Sequence, residues 1–143
     1  MSDVREKLID ITNEGYINLS KWLITLATGT IVFSIKLISS STNLFFKSLL
    51  TFGLGLLLIS IILGVRYVRL RLDGTHFNYV YLEARHRLEN NLETDRVELE
   101  KKMKEAVKKM KEIGDIVFDL FSWQEKLFYA GLVIVGVFGI YNV

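Results

Sequence analysis

The sequence predicts an all-α integral membrane protein with three transmembrane helices, an N-terminal amphipathic helix and a cytoplasmic helical segment. Two runs carry no charged residue: the eighteen residues 48–65 and the seventeen residues 127–143. A third apolar run, residues 22–38, is interrupted only by Lys36. As a helix, each run spans roughly 25–27 Å, close to the roughly 30 Å hydrocarbon core of a bilayer. Such runs offer no polar face to water, so they predict lipid as the solvent.

The composition fits a membrane protein with a separate charged segment. Half of the 143 residues are hydrophobic, and mean hydropathy is +0.31 although 24% of the residues are charged. The chain has no cysteine, which excludes disulfides and thiolate metal sites. The net charge of +2 is too small to predict nucleic-acid binding.

Residues 1–20 are predicted to form an amphipathic N-terminal helix. Asp3 and Glu6 have the spacing of a capping box, and Gly15 is a plausible end of this helix. The alternative is a frayed terminus on the membrane surface. Acidic residues precede the first apolar run, so we expect a retained span rather than a cleaved signal peptide.

Residues 21–72 are predicted to form a hairpin of two transmembrane helices. Lys21 and Trp22 suit the interface where the first span begins. The polar residues 39–43 form a tight turn, and the second span ends at a segment, residues 66–71, that holds three arginines.

The distribution of cations predicts the orientation. Thirteen of the eighteen lysines and arginines lie in residues 66–126, and three precede the first span. The positive-inside rule then places the N-terminus and residues 66–126 in the cytoplasm, with the C-terminus outside. We expect a multi-pass protein of the inner (cell) membrane.

Residues 73–122 are predicted to be a cytoplasmic helical segment with a heptad seam. The polar residues 90–95 interrupt its apolar pattern. The segment is therefore either one long helix with a stutter or a hairpin, and Asn, Thr and Asp favour the hairpin because they cap helices. The seam, which we assign to contacts between copies, consists of Leu99, Met103, Ala106, Met110, Ile113, Val117 and Leu120.

Residues 123–143 are predicted to form the third span. Residues 122–125, Ser-Trp-Gln-Glu, match a capping box, which predicts that a new helix starts there.

No catalytic constellation is found, so we do not expect an enzyme, a cofactor or a metal site. His76 and His86 lie ten residues apart, outside the spacing of an HExxH pair, and the sequence has no P-loop or G-x-S-x-G motif.

Polar residues within the first span suggest a pore lining. Thr25, Thr28, Gly29 and Lys36 fall along one side of the predicted helix. Packing between helices explains such residues equally well, because a hydroxyl can bond its own backbone and small residues let helices approach. In the functional interpretation the row faces water on the axis of an oligomer, and a ring of Lys36 at the outer mouth favours anions.

Cytoplasmic cations are candidates for binding an anionic ligand. Their ordinary role is a solvated helix face, and the alternative is binding of lipid headgroups, a nucleotide or an oligonucleotide without sequence specificity. These residues are Arg66, Arg69, Arg71, Arg85, Arg87, Lys101, Lys102, Lys104 and Lys108.

The layout of residues 21–92 resembles the SLATT-type two-transmembrane effector domains of bacterial conflict systems. The similar segments are Gly-Val-Arg-Tyr at 64–67 and Tyr-Leu-Glu-Ala-Arg-His-Arg-Leu at 81–88. The resemblance implies an anti-phage effector that oligomerises, forms a pore and responds to a nucleotide-type signal. The third span departs from that two-span pattern and puts the pore lining in doubt.

Two functions follow from these features. The first is a homo-oligomeric channel or pore-forming effector gated through its cytoplasmic helices, since a chain this small encloses a conduit only by symmetry. The second is a non-conducting accessory or scaffold subunit that pairs with a different protein through the heptad seam.

Overall fold

The computed structural model describes residues 2–40, 43–90 and 96–140, with side chains from residue 14 onward except residues 37, 40 and 138–140. Within these ranges the protein is all-helical and has no strand. The helices are α1 Ser2–Ser40, α2 Leu44–Glu89 and α3 Arg96–Ile140. The predicted all-α class is confirmed. The predicted capping box at Asp3 and Glu6 lies outside the described side chains.

Two predicted helix boundaries are wrong. α1 continues through Gly15, where the cost of an interior glycine is only about 1 kcal/mol. α3 continues through Ser122, so this serine is not an N-cap. Phe121 is held in the bundle by ring contacts, with centroids 5.3 Å from Tyr16 and 5.2 Å from Tyr67. These contacts favour continuation of the helix over a local cap.

The helices divide into two compact units, Met1–Val68 with Leu120–Val143, and Arg69–Asp119. We call the first the bundle and the second the hairpin. The bundle has an apolar core, to which all three helices contribute: Leu23, Ala27, Leu50, Leu57, Phe128 and Val135.

Glycines let α2 and α3 approach closely in the bundle. A Cβ added at Gly53 would lie 2.9 Å from Cγ2 of Ile134, and one added at Gly131 would lie 2.8 Å from Cγ of Leu57. The close packing of α2 against α3 therefore requires glycine at both positions.

One helix in the described part of the chain, α2, is long and apolar enough to cross a membrane. This is a statement of length and composition: its best window has a mean hydropathy of 2.4, and 28% of that window is buried. The first and third predicted spans include residues 37 and 138–143, which lie outside the described side chains. Three spans therefore stay a prediction.

The hairpin packs the end of α2 against the start of α3. Its buried residues are Ala84, Leu99, Ala106 and Val117. A Cβ at Gly74 would meet Ile113 at 3.6 Å, an ordinary contact. The amide nitrogen of Asn90 donates to the carbonyl of His86 at 3.1 Å where α2 ends. The chain thus forms two helices rather than one long one, although residues 91–95 lie outside the described residues.

The predicted heptad seam is used within the chain. Met103, Met110 and Ile113 are half-buried beside the buried Leu99, Ala106 and Val117 of the hairpin, and Leu120 is half-buried in the bundle. Contact with α2 of the same chain explains this pattern, so the seam does not require a second copy. Its use between copies stays a prediction.

Candidate functional site

A buried polar layer joins the three helices of the bundle. Gln124 of α3 is fully buried. Its side-chain oxygen accepts a hydrogen bond of 2.8 Å from the Ser20 hydroxyl, and its amide nitrogen donates to the Ser20 carbonyl at 3.3 Å. The Ser60 hydroxyl of α2 donates to the backbone carbonyl of Gln124 at 2.9 Å. We call Ser20, Ser60, Gly64 and Gln124 the polar layer.

Gly64 gives the amide of Gln124 its space. A Cβ at residue 64 would lie 2.3 Å from Nε2 of Gln124 and 3.0 Å from Cγ1 of Ile24. The Gly64 carbonyl also lies 3.5 Å from the Ser20 hydroxyl. Any larger residue here displaces the Gln124 side chain, so the glycine is required by a close approach rather than by backbone conformation.

Local sequence rules do not reveal the polar layer. Gln124 lies in the predicted capping box at 122–125 and Ser20 ends the predicted N-terminal helix, and each lies next to a charged residue at the edge of an apolar run. The available signal was position: Ser20, Gly64 and Gln124 each lie within three residues of the end of a different apolar run. An uncharged amide at that position can bond a neighbouring helix instead of water.

The predicted pore row lies together on an exposed face of α1. Thr25, Thr28, Gly29 and Lys36 are all exposed, and no side chain lies within 4 Å of a Cβ built at Gly29. They lie away from the face of α1 that Ser20, Leu23 and Ala27 bury in the bundle core.

The threonines of this row bond their own helix. The Thr25 hydroxyl donates to the Lys21 carbonyl at 3.0 Å, and the Thr28 hydroxyl donates to the Ile24 carbonyl at 2.8 Å. Both hydroxyl protons are therefore used by the backbone of α1, in the i−4 bond that threonine commonly forms within helices. Each oxygen still has acceptor capacity towards solvent or a neighbouring helix.

The predicted cation sites are divided between the bundle and the hairpin. Arg85 and Arg87 form i, i+4 pairs with Glu89 at 2.8 Å and Glu83 at 2.7 Å. Arg66 belongs to the bundle and is exposed, whereas Arg69 and Arg71 belong to the hairpin.

The lysines lie along the start of α3. Lys102 pairs with Glu98 at 2.8 Å, and Lys108 lies 4.0 Å from Glu112, while Lys101 and Lys104 are exposed. The hydrogen bond and the charge of Lys102 lower the pKa of the Glu98 carboxyl. Both partners of each pair are exposed, so solvent screens their attraction and the pairs contribute little to stability.

A shallow groove in the hairpin borders two of these lysines. Its volume is about 330 Å³, and it combines an apolar floor with a charged rim. The lining residues are Phe77, Val80, Lys102, Glu105, Ala106, Lys108 and Lys109. An anionic group with an apolar part fits such a lining, although the rim lysines already have Glu98 and Glu112 as partners.

In the described part of the chain, no three His, Asp or Glu side chains come close enough to hold a metal ion. No protein-family model, curated protein or solved structure matches this chain. The likeness to SLATT-type effector domains therefore rests on the motifs at 64–67 and 81–88 and stays a prediction.

Proposed function

We propose that this chain is a three-span membrane protein that assembles through α1 into a homo-oligomeric channel. The polarity of the bundle supports the membrane part of the proposal. Besides its apolar core, the bundle buries Ser20, Ser34, Ser60 and Gln124, while many large apolar side chains lie on its outside. Those exposed include Leu26, Val32, Phe33, Ile35, Phe52, Leu58, Ile62, Val133 and Val137. A protein surrounded by water rarely exposes so many large apolar side chains in one unit.

The register of the three helices further supports three spans. Hydrogen bonds of the polar layer bring Ser20, Gly64 and Gln124 to one level. The apolar runs start at residue 22, end at residue 65 and start at residue 127, each within three residues of that level. Three apolar runs that share one end match the flat edge of a hydrocarbon layer.

The low burial of α2 argues against the core helix of a soluble protein. Only 28% of its most apolar window is buried, whereas such a core helix is mostly buried. With the positive-inside rule, this supports an inner-membrane protein whose N-terminus and hairpin are cytoplasmic and whose C-terminus is outside.

The single observation that carries oligomerisation is the exposed row on α1. Thr25 and Gly29 are four residues apart, a small-xxx-small spacing that lets two membrane helices pack closely. The open space around Gly29 is available to a helix of another copy, because its own bundle leaves it uncovered. Copies that pack side by side in this way can form a ring.

The conducting path is proposed to run along this row. The free acceptor capacity of Thr25 and Thr28 suits a wet surface, and the exposed Lys36 would form a ring of positive charge near one mouth. Such a ring favours anions over cations. Gating is assigned to the hairpin, where a ligand that binds one state more tightly would shift the equilibrium between states.

A second candidate function is a non-conducting accessory or scaffold subunit. The observation that favours it is the bonding of both threonine hydroxyls to their own helix, which leaves no donor that needs water. In that case the α1 row is a packing surface for a different membrane protein.

The test compares two leucine substitutions at open glycines. Gly29→Leu fills the α1 row, and Gly136→Leu adds the same side chain on an exposed face of α3, where a Cβ also meets nothing within 4 Å. Native mass spectrometry from nanodiscs measures the oligomer, and ion flux from liposomes measures conduction. We expect Gly29→Leu to abolish both and Gly136→Leu to preserve both.

A monomer for the wild-type chain, or assembly that survives Gly29→Leu, would contradict oligomerisation through α1. Assembly without flux would favour the accessory subunit. The variants Lys36→Gln and Lys47→Gln then test whether Lys36 lines one mouth of the channel. Only Lys36→Gln should weaken the preference for anions.

A further inference from the structure

We infer that the level of the polar layer carries a binding surface for anionic phospholipid headgroups. The surface consists of three cations and two tryptophans: Lys21, Trp22, Arg66, Trp123 and Lys126. We call it the headgroup belt. This inference rests on the proposed insertion in the membrane and adds a lipid partner of defined charge at one end of the bundle.

Geometry places the three cations in one band about 6 Å deep, because α2 runs antiparallel to α1 and α3 and Arg66 lies on the other side of the polar layer from Lys21 and Lys126. Lys21 follows Ser20 by one residue, Arg66 follows Gly64 by two, and Lys126 follows Gln124 by two. At 1.5 Å per residue, each cation lies within about 3 Å of the polar layer along its helix. One comes from each helix, so the charges surround the bundle at the height where the apolar runs start or end.

The cations of the belt are exposed and available. Lys21, Arg66 and Lys126 are all on the surface of the bundle. Among the described residues, none of them forms an ion pair. This distinguishes them from hairpin cations such as Arg85 and Arg87, which have carboxylate partners on their own helix.

The tryptophans indicate a lipid partner rather than a soluble anion. Trp22 is 65% exposed and Trp123 is 56% exposed, a poor arrangement in water. Indole rings are enriched at the boundary between hydrocarbon and headgroups. The ammonium of Lys126 lies 5.2 Å from the centre of the Trp123 ring, so the cation and the ring form one local unit. A phospholipid matches both parts, with its phosphate on the cation and its acyl chains beside the ring.

The net charge of the headgroup favours anionic lipids. A zwitterionic lipid brings its own cation to the belt, whereas phosphatidylglycerol brings only a negative charge. A cation near an anionic membrane surface strengthens binding roughly fivefold, and three cations strengthen it on the order of a hundredfold. This attraction should weaken as salt is raised, because the belt is exposed.

The experiment measures lipid retention by the full chain. Detergent-solubilised protein is incubated with equal amounts of phosphatidylglycerol and phosphatidylcholine, and native mass spectrometry counts the bound molecules of each. The test variant is Lys21→Gln with Arg66→Gln and Lys126→Gln. The matched control is Lys101→Gln with Lys104→Gln and Lys111→Gln, which removes the same charge from exposed positions of the hairpin. A second test variant, Lys21→Arg with Arg66→Lys and Lys126→Arg, keeps the charge.

We expect the wild type, the hairpin control and the charge-preserving variant to retain phosphatidylglycerol preferentially. The belt variant should lose that preference by about ten- to a hundredfold. Equal retention of both lipids by the wild type, or equal losses in the belt variant and the control, would overturn the inference. Flotation with phosphatidylcholine liposomes separates the two proposals. Failure to insert would contradict the membrane proposal, whereas insertion without lipid preference would contradict only the headgroup belt.

Discussion

The bundle and the hairpin share α2 and α3 and both have apolar interiors, but only the bundle also buries polar side chains among its described residues. In the bundle, Ser20, Ser60 and Gln124 are buried and apolar side chains face outward. In the described part of the hairpin, no polar side chain is buried, and its interior consists of apolar residues such as Leu99 and Ala106. Each of the long helices α2 and α3 has one part in the bundle and one part in the hairpin. The length of a helix therefore does not show which part of it could span a membrane.

Under the proposed insertion of the bundle in lipid, the two units also differ in what holds their helices together. In lipid, apolar burial gives little driving force, so close packing at glycines and hydrogen bonds between helices dominate. In water, burial of apolar surface contributes roughly 25 cal/mol per Å² and stabilises the hairpin. The same substitution should therefore have different consequences in the two units, and four experiments use this difference.

The largest effect is expected for a charge in the hairpin interior. Ala106 is 2% exposed, so Ala106→Asp buries an unpaired carboxylate and should destabilise the hairpin by about 3–5 kcal/mol. Hydrogen exchange of the full chain should show loss of protection in residues 96–119, while the bundle stays protected. Val107→Asp is the control, because residue 107 is exposed. Unchanged protection in Ala106→Asp would show that this face is not packed.

The next effect compares the two units through glycine. Gly64→Ala forces a methyl group against Gln124 and should destabilise the bundle by about 2–3 kcal/mol. Gly74→Ala makes only a 3.6 Å contact in the hairpin and should stabilise it by about 0.5–1 kcal/mol through the lower helix propensity of glycine. Thermal unfolding in detergent measures the change in stability for Gly64→Ala, and hydrogen exchange measures it for Gly74→Ala. Effects of the same sign would contradict the comparison.

A smaller effect is expected for the polar layer itself. A double-mutant cycle of Ser20→Ala and Gln124→Leu isolates the 2.8 Å hydrogen bond between these side chains. Its coupling energy should be about 0.6–2 kcal/mol, the range for hydrogen bonds between membrane helices. The pair Thr25→Ala and Gln124→Leu serves as the control and should show no coupling, since Thr25 bonds its own helix. A coupling near zero in the first cycle would mean that the layer is not formed.

The smallest effect concerns the exposed pair of Glu98 and Lys102 in the hairpin. Its hydrogen bond and charge lower the pKa of Glu98 from the ordinary 4.5. A lowered folded-state pKa adds stability that is present above the unfolded value and is lost as pH falls through the folded value. Carbon NMR of the Glu98 carboxyl should show a low pKa in the wild type and a rise towards 4.5 in Lys102→Gln. An identical titration in both proteins would contradict the pairing.

Much of the fold could be predicted from the sequence because apolar periodicity is a local signal. The seam from Leu99 to Val117 and the turn near residue 90 both follow from it. A second local signal is the helix cap. The side-chain oxygen of Asn43, just before α2, accepts a hydrogen bond of 3.0 Å from the Phe45 amide, as asparagine commonly does at the start of a helix. The periodicity does not say which helix the seam packs against. In the structure it packs against α2 of the same chain, so its burial does not require another copy.

The helix boundaries and the polar layer could not be predicted by local rules. Ser122 has the sequence of a cap, yet contacts of Phe121 with Tyr16 and Tyr67 accompany an unbroken α3. Gln124 and Ser20 are 104 residues apart in the chain, and only the packed bundle brings them within hydrogen-bonding distance. The pore row was predicted as one face of α1, and the structure places it on the outside of the bundle.

The central claim is that lipid surrounds the bundle while water surrounds the hairpin. The natural chain has no cysteine, so single cysteines report the solvent at chosen positions. Val133→Cys lies on the bundle at a side chain that is 61% exposed, and Val97→Cys lies on the hairpin at one that is 78% exposed. In open membrane fragments, where a charged maleimide reaches both faces of the bilayer, we expect rapid labelling at residue 97 and none at residue 133 until detergent is added. Equally rapid labelling of both cysteines in the intact membrane would contradict the claim.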